Sequence, residues 1–373
     1  MAFYGIDLHT DSFVSMRMVF GSNLDKGPIT TAKYYLDHSS FQKFKDLLSQ
    51  EDYVIVEACA NAFWFHDEIK ALVKECYVLN VNKYKASINK TDKIDTQKLV
   101  KKLAYYVITN GDNDDLPLVY IPPKEVRELR ALFTTHKLSK KMTNQLKNRI
   151  HSLFKENGID LSKKQVADPK NRERLMELPL ADIRKQQLRI LFFQLDTIEE
   201  ETDKLKKLIF ELGYRLFPEE IELLMSIKGF SPLTAIALMS DVVDINRFPS
   251  AKKFCAYLRT APKVKSSNEK TVIGSTNRNS RSLSCTLLAQ SVEHFARIEG
   301  HLESFYERVK KGKRAGVYRM ALIRKILVCV YYMLKRKKHF YWMDEKLYKH
   351  KLREFKNIVT PKSTGETTKK KVA

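Results

Sequence analysis

The chain has 373 residues, 43% of them hydrophobic and 30% charged, enough apolar material for more than one core, so two or three domains are expected. Its formal net charge of +23 is costly in self-repulsion and points to a polyanionic partner, nucleic acid first, with a merely solubilising basic face as the alternative. The cysteines (Cys59, Cys76, Cys255, Cys285, Cys329) have no paired spacing, and no apolar run approaches the ~20 residues of a membrane span, which argues against a disulfide framework, a zinc site or a membrane protein.

The first residues read as a strand carrying an early acid rather than as a signal peptide, so a cytoplasmic, nucleoid-associated protein is expected. Phe3-Tyr4-Gly5-Ile6-Asp7-Leu8 is a short apolar run around one carboxylate. Ser12–Phe20 and Pro28–Leu36 follow as two more strands, rich in β-branched, aromatic and Met residues. Phe41, Phe44, Leu47 and Leu48 then share one helical face. Tyr53-Val54-Ile55-Val56-Glu57 is continuous enough for a strand buried on both faces, and Glu57 ends it. A helix from about Asn61 to Lys74, a strand at Cys76–Leu79 and a helix opening near Asp92 complete the unit. Three strands joined by hairpins and then βα alternation predict a mixed sheet with helices on its faces. In a ribonuclease-H-like sheet the strands of Asp7 and Glu57 would be central neighbours.

Burying Asp7 unpaired in so apolar a run is costly, and a divalent ion would offset the charge. Lys90-Thr91-Asp92-Lys93-Ile94-Asp95 puts two carboxylates one helical turn apart, a spacing suited to a hard cation. A plain helix cap, with Asp92 and Asp95 satisfying amides and the dipole, is the competing reading.

Gly5-Ile6-Asp7, Val56-Glu57-Ala58 and Lys90–Asp95, in this order and spacing, resemble the D-E-D-D signature of the RuvC-like transposases of one bacterial insertion-sequence family, which act as bridge-RNA-guided DNA recombinases. The resemblance implies a two-Mg²⁺ site on Asp7, Glu57, Asp92 and Asp95. It also implies DNA substrates (target and donor), a structured guide RNA, and a homo-oligomer that is a dimer and, in the synaptic complex, a tetramer.

After Gly111–Pro117 and Pro122-Pro123, which mark a boundary, Lys124 to about Glu156 reads as a long helix with Leu138, Met142, Leu146, Ile150 and Leu153 on one stripe. Lys140, Lys141 and Lys147 are interleaved with it. A second long helix carries a heptad seam at Leu188, Leu191, Leu195, Ile198, Thr202, Leu205, Ile209 and Leu212. An intramolecular helical hairpin and a subunit-joining coiled coil both fit. Lys228-Gly229-Phe230-Ser231-Pro232 between apolar helices resembles a helix-hairpin-helix, and an ordinary αα corner fits as well. A basic helix is expected from Lys313 to Lys338, and a polar, Lys-rich disordered tail after it.

Pro262–Asn268 reads as a polar loop. It resembles the family's proline–basic–serine loop, which assigns Ser267 the nucleophile that forms a phosphoserine–DNA intermediate. Lys228, Lys263, Lys265, Arg278 and Arg281 join Lys140, Lys141 and Lys147 as candidate nucleic-acid contacts. Where the family has glycine, this chain has Ala60, Ser231, Arg259, Asn268 and Asn279, so the loop backbones are expected to be rebuilt. The expected division is 1–115 RuvC-like catalytic domain, 116–213 helical linker or coiled coil, 214–350 mostly helical C-terminal transposase domain, and 351–373 basic tail. The fold class is thus α/β plus all-α. Two other functions stay open: a metal-dependent, structure-specific nuclease acting by hydrolysis, and a catalytically decayed nucleic-acid-binding relative.

Overall fold

The computed structural model describes residues 1–19, 29–81, 92–111, 116–267, 270–276, 283–298 and 300–360, and the side chains of 92–96, 263–267, 270–273 and 275–276 fall outside that description. Two compact units meet in sequence at Pro122/Pro123. The first contains β1 (Ala2–Leu8), β2 (Ser12–Val19), β3 (Ile29–Tyr35), α1 (His38–Lys45), β4 (Tyr53–Glu57), α2 (Ala62–Ile69), β5 (Glu75–Leu79) and α3 (Asp92–Ile108). The second contains α4 (Lys124–Glu156), α5 (Lys163–Ala167), α6 (Arg172–Glu177), α7 (Asp182–Leu216), α8 (Pro218–Met225), α9 (Pro232–Val242) and α10 (Ala251–Tyr257). It continues with β6 (Pro262–Ser267), β7 (Lys270–Thr276), α11 (Leu283–Gln290), α12 (Val292–Ala296), α13 (His301–Lys310), α14 (Ala315–Arg336) and α15 (Glu345–Val359).

The five-stranded sheet has the order β3-β2-β1-β4-β5, antiparallel from β3 to β1 and parallel from β1 to β5. The expected mixed sheet, with β1 and β4 as central neighbours, is what forms. Strand alternation sends Tyr4, Ile6, Val54 and Val56 to one face, where Phe41 and Phe44 of α1 and Phe65 and Ile69 of α2 cover them. Phe13 fills the middle of that layer, edge-on to Phe44 at 4.9 Å and Phe65 at 5.2 Å between centroids. Phe3, Tyr53 and Ile55 point to the other face and meet Leu99, Val100, Leu103 and Ala104 of α3. Buried Asp52 ties the start of β1 to β4, its Oδ1 accepting from the Ala2 amide at 2.7 Å and its Oδ2 from Ser49 at 3.0 Å. Helix α2 ends at Ile69, five residues short of the expected Lys74, because the chain turns over residues 70–72 to enter β5.

In the second unit α4 and α7 form an antiparallel hairpin. Val126, Leu129 and Phe133 near the start of α4 share a core with Ile209 and Phe210 near the end of α7. Ile150, Leu153 and Phe154 share another with Leu188, Phe192 and Leu195. The heptad seam of α7 is thus used inside the chain: Leu188, Leu195, Thr202 and Ile209 are buried, and Leu191, Ile198, Leu205 and Leu212 are half-buried. The stripe expected on α4 is displaced. Leu138 and Met142 are exposed, at 56% and 42%, and His136 and Thr143 take the seam instead. Thr143 manages this by donating its hydroxyl to the Ser139 carbonyl at 3.0 Å, which leaves its methyl for the seam. Burial, with Lys140 and Lys206 nearby, lowers the pKa of His136 and keeps that imidazole neutral.

Helices α8 to α15 pack into one core with the α4 start and α7 end, and of the segments expected at 116–213 and 214–350 all but residues 116–122, which belong to the first unit, lie within this one compact unit. Helix α15 extends through Val359, nine residues into the segment expected to be a tail from 351, because Phe355 is 1% exposed against Phe210 and Tyr214. Residues 361–373 lie outside the described residues. Among the described residues no helix is long and apolar enough to cross a membrane.

Candidate active site

Ile6 and Val56 are paired in the parallel register of β1 and β4, so Asp7 and Glu57, each one residue further, close neighbouring strands side by side. By alternation both belong to the sheet face that α3 covers. Asp7 is half-buried, its side chain 22% exposed, and its Oδ2 lies 3.5 Å from His9 Nε2. Glu57 is half-buried too. Asn61 donates to the His9 carbonyl at 2.9 Å, and Cys59 Sγ donates to Asn61 Oδ1 at 3.1 Å, so the turns after β1 and β4 are tied together. Burial pushes the Cys59 thiol above its ordinary range, and the charges of Glu57 and Asp7 push the same way against amide hydrogen bonds from Asn61 and Ala62.

Asp92 and Asp95 occupy the first and fourth positions of α3. Their side chains lie outside the described residues, as do residues 90 and 91. Among the described residues no group of three or more His, Cys, Asp or Glu is arranged to hold a metal ion. The two described acids offer oxygen donors from adjacent strand ends, the donor type that a hard divalent cation takes. His9 and Asn61 were not anticipated from sequence. The i+2 spacing of His9 from Asp7 is a signal only once the strand is known to end there.

In the second unit Pro262–Asn268 is not a loop up to its last residue. Pro262–Ser267 is β6, paired antiparallel with β7, with Ser266 opposite Thr271 and Ser267 opposite Lys270. Alternation of Val264 with Lys263 and Lys265 against Val272 and Ile273 is a strand pattern that the polar composition concealed. Ser267 thus closes the ribbon on its first strand, next to Asn268 and Glu269, which lie outside the described residues. The base of the ribbon is anchored: Thr260 is fully buried, donates to the Cys255 carbonyl at 2.7 Å, and accepts at its own carbonyl from Arg324 Nε at 3.0 Å.

The C-terminal end of α9 organises the surroundings. Arg130 Nε donates to the Ser240 carbonyl at 2.7 Å, and Arg247 Nε to that of Val242 at 2.9 Å, cations set where the helix dipole is negative. Asp241, 1% exposed, accepts from the Ser284 amide at 3.1 Å and its hydroxyl at 2.8 Å. It thereby fixes the start of α11, immediately after residues 277–282, which lie outside the described residues and include Arg278 and Arg281. Nothing in the sequence singles out Asp241, since an acid near a helix end reads as surface.

Of the candidate nucleic-acid contacts, Lys140 and Lys141 are exposed on α4. Lys147 is paired with Glu199 across the hairpin at 2.6 Å. Lys228 donates to the Arg297 carbonyl at 3.2 Å. Lys263 and Lys265 lie on β6 with side chains outside the description.

Residues 221–307, from α8 into α13, match the family described as Transposase_20, Transposase IS116/IS110/IS902 family. The matched stretch holds the α8–α9 turn, the Asp241 anchor and the serine-bearing ribbon. It supports an insertion-sequence transposase. No curated protein matches the chain.

Proposed function

We propose that this chain is an RNA-guided DNA recombinase of an insertion sequence, working through a D-E-D-D carboxylate site and a serine nucleophile. The observation that carries the reading is the pair Asp7 and Glu57, side by side at the ends of adjacent parallel strands on the sheet face that α3 covers. Asp7, Glu57, Asp92 and Asp95 would hold two Mg²⁺ ions, which when bound polarise a phosphodiester and stabilise its leaving oxygen. Ser267 Oγ bonds to phosphorus as the bond to the 3′ oxygen breaks, and the serine proton ends on that oxygen. The products are a phosphoserine on the DNA 5′ end and a free 3′ hydroxyl. Attack by another strand's 3′ hydroxyl reverses the step, so strands are exchanged without ATP.

The formal net charge of +23 suits two polyanions, DNA and a structured guide RNA, with base pairing rather than side chains reading the sequence. Exposed Leu138, Met142, Ile190 and Phe193 on the helical hairpin support a homo-oligomer, a dimer that assembles into a tetramer.

Denaturant-resistant protein–DNA adducts test the reading, using labelled duplex, Mg²⁺ and the RNA that co-purifies with the chain. Wild type and Ser266→Ala are expected to form the adduct, and Ser267→Ala and Asp7→Asn to lose it while still binding nucleic acid. Cleavage by the wild type without an adduct makes the protein a hydrolytic nuclease, and no cleavage at all makes it a binding relative. An adduct that survives Ser267→Ala and vanishes with Ser266→Ala moves the nucleophile by one residue.

A further inference from the structure

A helix leaves its last carbonyls without intrahelical partners, and these need donors when the helix end is buried. The Met225 carbonyl of the last residue of α8 and the Ile227 and Phe230 carbonyls of the turn after it, which contains Gly229 at φ +95°, converge on a single point, the Ile227 oxygen also accepting from the Phe230 amide at 3.1 Å. The point is filled from outside the turn. Lys351 of α15 sets its Nζ at 2.5, 3.1 and 3.2 Å from those three oxygens. An ammonium has three N–H donors for three acceptors; a neutral amine has two, and would turn a lone pair toward the third carbonyl. Burial pushes the Lys351 pKa down to about 8, so the ammonium is still the form present at neutral pH.

The group is delivered by a docked element. Phe355 packs edge-on to Phe210 and Tyr214 at 5.3 and 5.4 Å, and Lys356 pairs with Glu222 at 2.8 Å. The turn is held elsewhere too: Ser226 Oγ accepts from the Phe340 amide at 3.0 Å, and a Cβ on Gly229 would press on Phe295. The turn is therefore held by contacts besides those of Lys351. A ring of preset carbonyl oxygens facing one positive point is the chemistry by which proteins replace the hydration shell of K⁺.

We propose that the α8–α9 turn is a monovalent-cation site built of three backbone carbonyls, whose resident ion is the ammonium of Lys351. The C-terminal helix thus supplies, from beyond the stretch that matches the transposase family, the ion that fixes the entry to α9. Without that ammonium the cage takes a free cation of similar size, K⁺ or NH₄⁺, and rejects choline, which is too large to enter. The inference is independent of the serine mechanism.

Calorimetric melting of the full chain in KCl, NH₄Cl and choline chloride at equal ionic strength is the test. Wild type is expected to melt alike in all three. Lys351→Ala should melt lower in choline by roughly 5 °C or more, for loss of a buried ammonium on three acceptors, and should recover most of that in K⁺ or NH₄⁺. Lys351→Met fills the same space with an apolar chain, so it should be destabilised in every salt. Lys351→Ala equally unstable in all three salts, or as stable as wild type in choline, overturns the proposal, as does K⁺ rescue of Lys351→Met. A second measurement on wild type does not depend on a variant folding. Brief acetylation followed by mass spectrometry should modify Lys351 on the order of tenfold more slowly than exposed Lys349 on the same helix. Equal rates overturn the proposal.

Discussion

Arg259 holds a left-handed backbone, φ +66°, at the joint between α10 and the serine-bearing ribbon. That region suits glycine better than a residue with a Cβ. An L-residue pays roughly 1–2 kcal/mol there. Ser231, by contrast, has φ −84°, and its side chain caps α9 by accepting from the Thr234 amide at 3.2 Å. Arg259→Gly and Arg259→Ala lose the same side-chain contacts, so their difference isolates backbone strain. Arg259→Gly is expected to be more stable than Arg259→Ala by about 1 kcal/mol in urea unfolding. Equal midpoints would mean that the strain is absent. At this scale the placement of Asp7 and Glu57 on neighbouring strands was legible, because an acid inside an apolar run announces its own cost. Asp241 and Lys351 were not, because each acts on an atom distant in sequence, and His9 was not, because its pairing with Asp7 depends on where the strand ends.

The helices cross where one side chain is missing. A Cβ added to Gly213 of α7 would fall inside contact distance of Ile236 on α9, and Ile236 is fully buried with nowhere to retreat. Gly213→Ala gains roughly 1 kcal/mol of helix propensity and should still lose net stability, by about 1–2 kcal/mol, to overpacking. Ile236→Ala should be less harmful in the Gly213→Ala background than alone, a coupling that a double-mutant cycle reads directly. Additive effects would place the two helices further apart than described. The heptad on α7 was visible in sequence as a seam, and its partner was not. The α4 stripe misled because Thr143 hides its hydroxyl within its own helix, which no hydrophobicity pattern reports. The strand character of Pro262–Ser267 was hidden for a similar reason: a two-stranded ribbon needs only alternation and register, not apolar bulk.

Sixty-seven Lys and Arg against 44 Asp and Glu act on the molecule as a whole. Many cations have internal tasks, among them Lys147 on Glu199, Arg324 on Thr260 and Lys351 on its three carbonyls. Many others remain on the surface, Lys140 and Lys141 of α4 included. Nucleic-acid affinity should fall steeply with salt, by about 0.9 log units per log unit of salt for each duplex phosphate neutralised. A filter-binding series in KCl is expected to give a slope implying several phosphates. A nearly flat series would make the charge a device for solubility.

The amino-acid order by itself determined the mixed sheet, the two long helices and the positions of Asp7 and Glu57, because strand alternation, helical period and the cost of a buried charge are all local quantities. It also carried the +23 charge, which is composition alone. Tertiary structure decided which faces meet and which polar groups are spent inside. Only packing turned the α7 seam inward on α4, drew α15 through Val359 onto Phe210, and set one lysine against three carbonyls that are five residues apart at most. Those choices depend on distances between segments remote in the chain, which no local pattern encodes.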